Sequence, residues 1–247
     1  MVNEPISRLA LMIVALSDVS TKKLRDELSA KRNALAGLFD KPIGLRIGVR
    51  SDPDPLAASM GERKLASVDA AIEFTGEAGD LDDLFRMAPK IVAMLDGLID
   101  RRQTALMGGT TYPLWDEAGS GVFLSLAIGR YPGLSVQDFR KWWLHRHGPL
   151  AGPLLRPLLL EYAQVHVEHE RSAAAAVAAG VQYPDFDGYD NLGWASVEAF
   201  VESTCKPEVQ QALFNERRRP SQPHGQLGRR NGDYIEPYPI KWNHLIG

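Results

Sequence analysis

VFLSLAIGRYPGLSVQDFRKWWLHRHGPLAGP, residues Val122 to Pro153, decides how this chain is read, because it passes from strand to turn to helix within one short run. VFLSLAI is a short apolar run of strand length. Tyr131-Pro132-Gly133 is a turn, and Ser135 with Asp138 three residues on is a variant of the capping box that opens a helix. A strand LLLEYAQVHV follows, then an Ala-rich segment, Ala173 to Ala179, expected as a loop or short helix covering an edge. A strand near Tyr189 to Trp194, a helix capped by Ser196 and containing Phe200, and a final strand DYIEPYPIKW complete the run.

The preceding half repeats that order. Leu9 to Leu16 is a buried strand, followed by a helical stripe at Leu24, Leu28, Leu35 and Leu38. In KPIGLRIGVR the residues Ile43, Leu45, Ile47 and Val49 alternate with Arg46, Gly48 and Arg50, as a half-buried strand requires, before the loop SDPDP. Val68, Ala70, Ile72 and Phe74 alternate again; Leu81, Leu84, Phe85, Ile91 and Leu95 return to helical spacing with Pro89 expected to kink the helix, and a strand runs near Thr104 to Tyr112. Each half therefore spells β-α-β-β-α-β, a ferredoxin-like unit whose bare sheet face must be buried on something. The expected fold is α+β, with two tandem units, residues 1–117 and 118–247, opposing their sheets as a barrel within one chain.

Composition narrows the partners. The 247 residues carry 28 basic against 31 acidic side chains, a formal charge of -3, so nucleic acid is not expected. Arginines at Arg101-Arg102, Arg217-Arg218-Arg219 and Arg229-Arg230 form short, scattered clusters that read as solvated faces. One cysteine, Cys205, excludes an internal disulfide framework and a thiolate-rich metal site, and makes the cytoplasm the expected setting. The apolar stretch from Leu9 to Leu16 is far shorter than the ~20 residues a membrane helix needs, so no membrane is expected.

Candidate chemistry concentrates in the second half. Phe139, Trp143 and His147 stand four apart and share one face of an α-helix, with Trp142 and Arg146 beside them and His147 near the helix C-terminus. On the next strand Tyr162, Gln164 and His166 alternate with Ala163, Val165 and Val167, so one face presents phenol, amide and imidazole. If that face lies beneath the helix, His147 and His166 converge on a ligand, one as general base and the other as acid or hydrogen-bond donor. His145 and His147 point about 200° apart around a helix and cannot both ligate one ion, so no metal is expected. Dinucleotide, Walker, nucleophile-elbow and zinc-protease motifs are missing from the sequence, and no cofactor is expected.

The segment Gly129 to Pro153 resembles the signature of EthD-like proteins of the dimeric α/β-barrel superfamily. Arg130, Pro132, Gly133, Leu134, Ser135, Phe139, Trp143, His147, Pro149 and Leu150 fall on that pattern, and Tyr162, Gln164, His166 and Asp187-Gly188 continue it. The resemblance covers roughly the second half; the first half lacks the Phe, Trp and His constellation and is implied to be scaffold. It implies His147, His166 and Tyr162 as catalytic and Phe139, Trp142, Trp143, Gln164 and Trp194 as substrate-binding. The expected activity is a cofactor-independent, lyase-type step on a small hydrophobic or aromatic molecule: decarboxylation, dehydration, retro-aldol cleavage or cyclisation. The alternative is a non-catalytic accessory protein that binds such a metabolite, and a homodimer is allowed for. Haem and oxygen chemistry occur in neighbouring α/β-barrel families, and nothing in this sequence marks either.

Overall fold

A computed structural model describes residues 4–50, 68–130, 133–207 and 238–244. The SDPDP loop, the arginine clusters at Arg217-Arg218-Arg219 and Arg229-Arg230, and residues 233–237 of the last expected strand lie outside the described residues.

Eight strands close into one antiparallel barrel: β1 (Ile6–Ile13), β2 (Gly44–Val49), β3 (Ala70–Gly76), β4 (Ala105–Asp116), β5 (Val122–Ile128), β6 (Leu159–Val167), β7 (Gly188–Trp194) and β8 (Tyr238–His244). Around the barrel the order is β1-β3-β2-β8-β5-β7-β6-β4. The first four strands lie as β4-β1-β3-β2 and the last four as β8-β5-β7-β6, which is the same permutation twice. The two sets meet edge to edge, where Gly48 pairs with His244 on one seam and Thr110 with His166 on the other. Among the described residues, closure leaves no strand edge unpaired.

Outside the barrel, α1 (Thr21–Ala36) and α2 (Leu81–Ala93) cover the first set of strands. Ser20 caps α1 by accepting from the Lys23 N–H, and Leu24, Leu28 and Leu35 are fully buried, each contributing on the order of 1.5–3 kcal/mol of hydrophobic stabilisation. Pro89 lies inside the continuous run of α2. The Ala-rich segment forms a full helix, α5 (His169–Ala179), which packs on α2 and β4 across the β4–β6 seam. Its Ala175, Ala176 and Ala179 join the core of the first half, where small side chains permit close approach. α6 (Val197–Thr204), capped by Ser196, covers β6 and β7 through Phe200.

Two corrections to the sequence reading bear on function. The face of β2 that carries Arg46 is not wet: barrel closure turns it inward, and Arg46 meets Glu73 and Glu161 there. The helix opened by Ser135 does not end near His147. It runs as α3 (Val136–Trp142), widens into a π-turn over Trp143–His147 and resumes as α4 (Gly148–Leu155).

No helix among the described residues is long and apolar enough to cross a membrane.

Candidate active site

The π-turn changes which side chains share a face. Ser135 accepts from the Asp138 N–H at 3.1 Å and its hydroxyl donates to the Asp138 carboxylate at 2.7 Å, fixing where the helix begins. Phe139 and Trp143 then stack at 5.4 Å, as a spacing of four predicts. From Trp143 onward the hydrogen bonds run i to i+5, with the Gly148 N–H reaching the Trp143 carbonyl. His147 is consequently carried off the Phe139–Trp143 line, and its ring lies 5.7 Å from that of Trp142, five residues back. The α-helical face expected to carry Phe139, Trp143 and His147 together is therefore split in two, and no helix terminus stands at His147.

Trp143 is the wedge between helix and sheet. It is 1% exposed and lies flat on His166, with centroids 4.9 Å apart and planes 14° from parallel. Tyr112 on β4 approaches His166 from another side, at 4.7 Å. Burial foremost, then the electrostatic influence of Arg140 and His145, pushes the His166 pKa down to about 3, so this imidazole is neutral at ordinary pH. Its Nε2 is buried with no hydrogen-bond partner among the described residues. Beneath the indole, Gly188 is obligatory: a Cβ there would sit 2.3 Å from Trp143 and 2.5 Å from the Val165 carbonyl oxygen.

Gln164 holds the turn in place. Its amide donates to the Trp143 carbonyl at 3.1 Å and to the Tyr162 hydroxyl at 3.0 Å. Tyr162 is 1% exposed and meets Trp115 edge-on at 4.9 Å. The strand face of Tyr162, Gln164 and His166 thus lies under the helix layer. Trp194 is fully buried at a different place, against Phe200 at 5.0 Å.

His147 and His166 have different partners. The His147 Nε2 lies 3.8 Å from Asp190 Oδ2 on β7, with side chains 14% and 7% exposed. That distance is one of ion pairing rather than hydrogen bonding. The second Asp190 oxygen is buried and has no hydrogen-bond partner among the described residues. Sequence reasoning did not single out Asp190; the signal that finds it is that a strand buried on both faces carries a carboxylate opposite Gln164.

Further polar groups meet at the ends of β5 and β7. Asp187 accepts from the Arg130 backbone N–H at 2.6 Å, from the Arg130 guanidinium, and pairs with His169 Nε2 at 3.0 Å. His169 Nδ1 meets the Tyr183 hydroxyl. Arg130 and Asp187, which carry part of the family pattern, are brought into contact here. Inside the barrel, Glu73 accepts from Asn191 at 2.7 and 2.9 Å and lies 3.4 Å from Arg8, Arg46 and the Tyr189 hydroxyl. Arg46 holds both oxygens of Glu161 at 2.7 Å and lies over the Phe123 ring at 3.9 Å. Sequence reasoning missed this network, because alternating arginines on a strand read as a solvated face.

Between this helix and this sheet Trp143 lies flat on His166, and a Cβ added at Gly148 would lie 2.7 Å from Leu114.

Residues 131–219 match the model of the EthD domain. No curated protein matches the chain in sequence. Among solved structures, a mutant chlorite dismutase from Candidatus Nitrospira defluvii in complex with cyanide superposes with a TM-score of 0.54 at 11% identity, covering 97% of this chain and 90% of that one. A second mutant of that enzyme gives 0.53 at 10% identity, over 97% and 91% of the two chains. A candidate monooxygenase from Fusobacterium nucleatum subsp. nucleatum gives 0.53 at 8% identity, over 98% and 93%. At these identities the likeness is one of fold: these chains share the α/β-barrel architecture.

Proposed function

We propose that this EthD-like protein, with its EthD domain at residues 131–219, is an enzyme acting on a small hydrophobic or aromatic molecule by histidine acid–base chemistry, of lyase type. The observation that carries the reading is the pairing of His147 with the buried Asp190 across the helix–sheet interface, at 3.8 Å. A carboxylate near an imidazole stabilises the imidazolium that forms when the ring takes a proton. The His147 ring is the base in this mechanism, with Asp190 as its counter-charge. In a retro-aldol cleavage the base takes the proton of the β-hydroxyl and returns it to the enolate carbon as the Cα–Cβ bond breaks. In a dehydration it takes the α-proton and returns it to the hydroxide that leaves with the Cβ–O bond. In a decarboxylation the protonated ring gives its proton to the enolate carbon left when the bond to CO2 breaks, and none of these needs an external oxidant.

The other residues divide by burial. Trp142, partly exposed beside His147, is the wall on which a planar substrate rests. Phe139 and Trp143 support it from the core. Gln164 and Tyr162 act as positioning residues, since they tie the π-turn to β6 and so set the place of His147. His166, held neutral, packs beneath Trp143 rather than carrying a proton. The first half, 1–117, is the scaffold that closes the barrel behind 118–247. Isolated π-turns in helices are found disproportionately at functional sites, which agrees with this assignment.

The test is turnover of a panel of aromatic β-keto acids and β-hydroxy ketones by the full chain and by His147→Gln. The reading expects decarboxylation or retro-aldol cleavage by the native chain and a loss of ~10²–10⁴-fold in the variant, with binding retained. Equal turnover in both removes His147 from the chemistry. Binding with no turnover in either chain supports the accessory-protein alternative.

A further inference from the structure

The two sets of strands share a topology but not their lumen side chains. β3 and β7 hold the same place in their sets, each has seven residues, and Glu73 and Asn191 are the fourth of each. These two face each other across the barrel, where the Asn191 amide donates to the Glu73 oxygens at 2.7 and 2.9 Å. The strand registers then give the other counterparts. Arg46 pairs with Glu73 as Ala163 pairs with Asn191. Arg8 pairs with Thr75 as Phe123 pairs with Gly193, and Gly44 with Thr75 as Glu161 with Gly193. Each of these charged residues therefore has an uncharged one at the equivalent place in the other set: Ala163 for Arg46, Phe123 for Arg8 and Gly44 for Glu161.

Charge balance follows from that asymmetry. The network enclosed at this level of the lumen takes Arg8, Arg46 and Glu73 from the first set and Glu161 from the second, with side chains 5%, 21%, 1% and 10% exposed. Two arginines against two glutamates leave it neutral. The link between the sets runs straight across: Arg46 on β2 holds both oxygens of Glu161 at 2.7 Å on β6, the opposite strand in the ring of eight, and its guanidinium lies 3.9 Å over Phe123. Two first sets opposed in the same way would enclose four arginines against two glutamates, a net charge of +2. Two second sets would enclose two glutamates and no cation from these positions, a net charge of -2. A buried charge left unpaired is strongly destabilising, whereas a matched buried pair contributes little over a well-packed apolar contact.

We propose that these side chains are a pairing code: the barrel-facing sheet of residues 1–117 accepts the sheet of residues 118–247 and rejects a second copy of itself, and the same holds in reverse. The partner that fits each face is the unlike half, from the same chain or from another copy. The discrimination lies in the penalty on the wrong pairing. Gly44 and Ala163 belong to the code by what they lack, since no carboxylate stands where a second Arg46 would point and no cation where a second Glu161 would. The code is independent of the reading given for His147.

Substitutions in the full chain reproduce the charge of the rejected pairings. Glu161→Lys gives the network the +2 of two first halves, and Arg46→Glu gives it the -2 of two second halves. Each is expected to lower the urea midpoint by at least about 0.5 M or to prevent folding. Arg46→Gln combined with Glu161→Gln returns the network to neutrality, and its midpoint is expected to lie above that of either glutamine substitution alone. Additive packing losses would place it below both. A shift smaller than about 0.5 M in either charge-reversed chain overturns the proposal, because the wrong pairings would then carry no penalty. A double variant no more stable than the better of its two singles overturns it as well, and this comparison decides where a charge-reversed chain fails to fold.

Discussion

His166→Phe should flatten the acid side of the stability profile. In the native chain His166 lies under Trp143 and its pKa is pushed down to about 3, by burial first and by Arg140 and His145 second. In the unfolded chain the ring titrates near ~6.5. The folded state therefore binds fewer protons than the unfolded state between these values, so stability is fully present above the unfolded pKa and is lost as pH falls toward 3. Between pH 7 and about pH 4.5 this one group removes about 2–3 kcal/mol, at ~1.4 kcal/mol per unit over the two units below ~6.5. Phenylalanine preserves the stack on Trp143, removes the unpartnered Nε2 and cannot titrate. Urea denaturation at the two pH values, native against variant, reads the difference: the loss on acidification should shrink by about that amount. An identical loss in both chains would refute the argument, because it would mean that His166 protonates in place without disturbing the helix–sheet layer.

Two further perturbations probe the same packing. Gly188→Ala forces a methyl group into Trp143 and the Val165 carbonyl, and should cost at least ~1–3 kcal/mol, as overpacking does, visible as a lowered urea midpoint. Glu73→Gln takes the charge from the centre of the barrel network and leaves Arg8 without its counter-ion; a loss of about 3–5 kcal/mol is expected by chemical denaturation.

How much of this was legible depended on whether a feature is periodic. The strands announced themselves by apolar alternation or short apolar runs and the helix starts by Ser135 and Ser196, whose caps are formed as the residues imply. The polar face of Tyr162, Gln164 and His166 was visible for the same reason: three non-apolar residues at strand spacing need an explanation. The π-turn was not visible, because its widened hydrogen-bond pattern leaves every residue type unchanged while moving His147 from the Trp143 face to the Trp142 side. Asp190 could be recognised as a partner only once that rotation was known. The barrel network failed for a topological reason. Arg46 and Glu73 sit on strand faces that look solvated until the sheet closes on itself, at which point the apparent outside becomes the interior.

Chemical rescue tests the central claim most directly. Truncating His147 to alanine removes the ring while leaving Asp190 and Trp142 in place, so imidazole added to the buffer has a carboxylate to pair with and an indole to rest on. For a substrate found active with the native chain, the account predicts that His147→Ala lowers kcat by ~10²–10⁴-fold with a much smaller change in KM, that added imidazole restores turnover in a saturable manner, and that rescue is weaker when Asp190→Asn is combined with it. Full activity of the alanine variant without imidazole would contradict the assignment of His147 as the base.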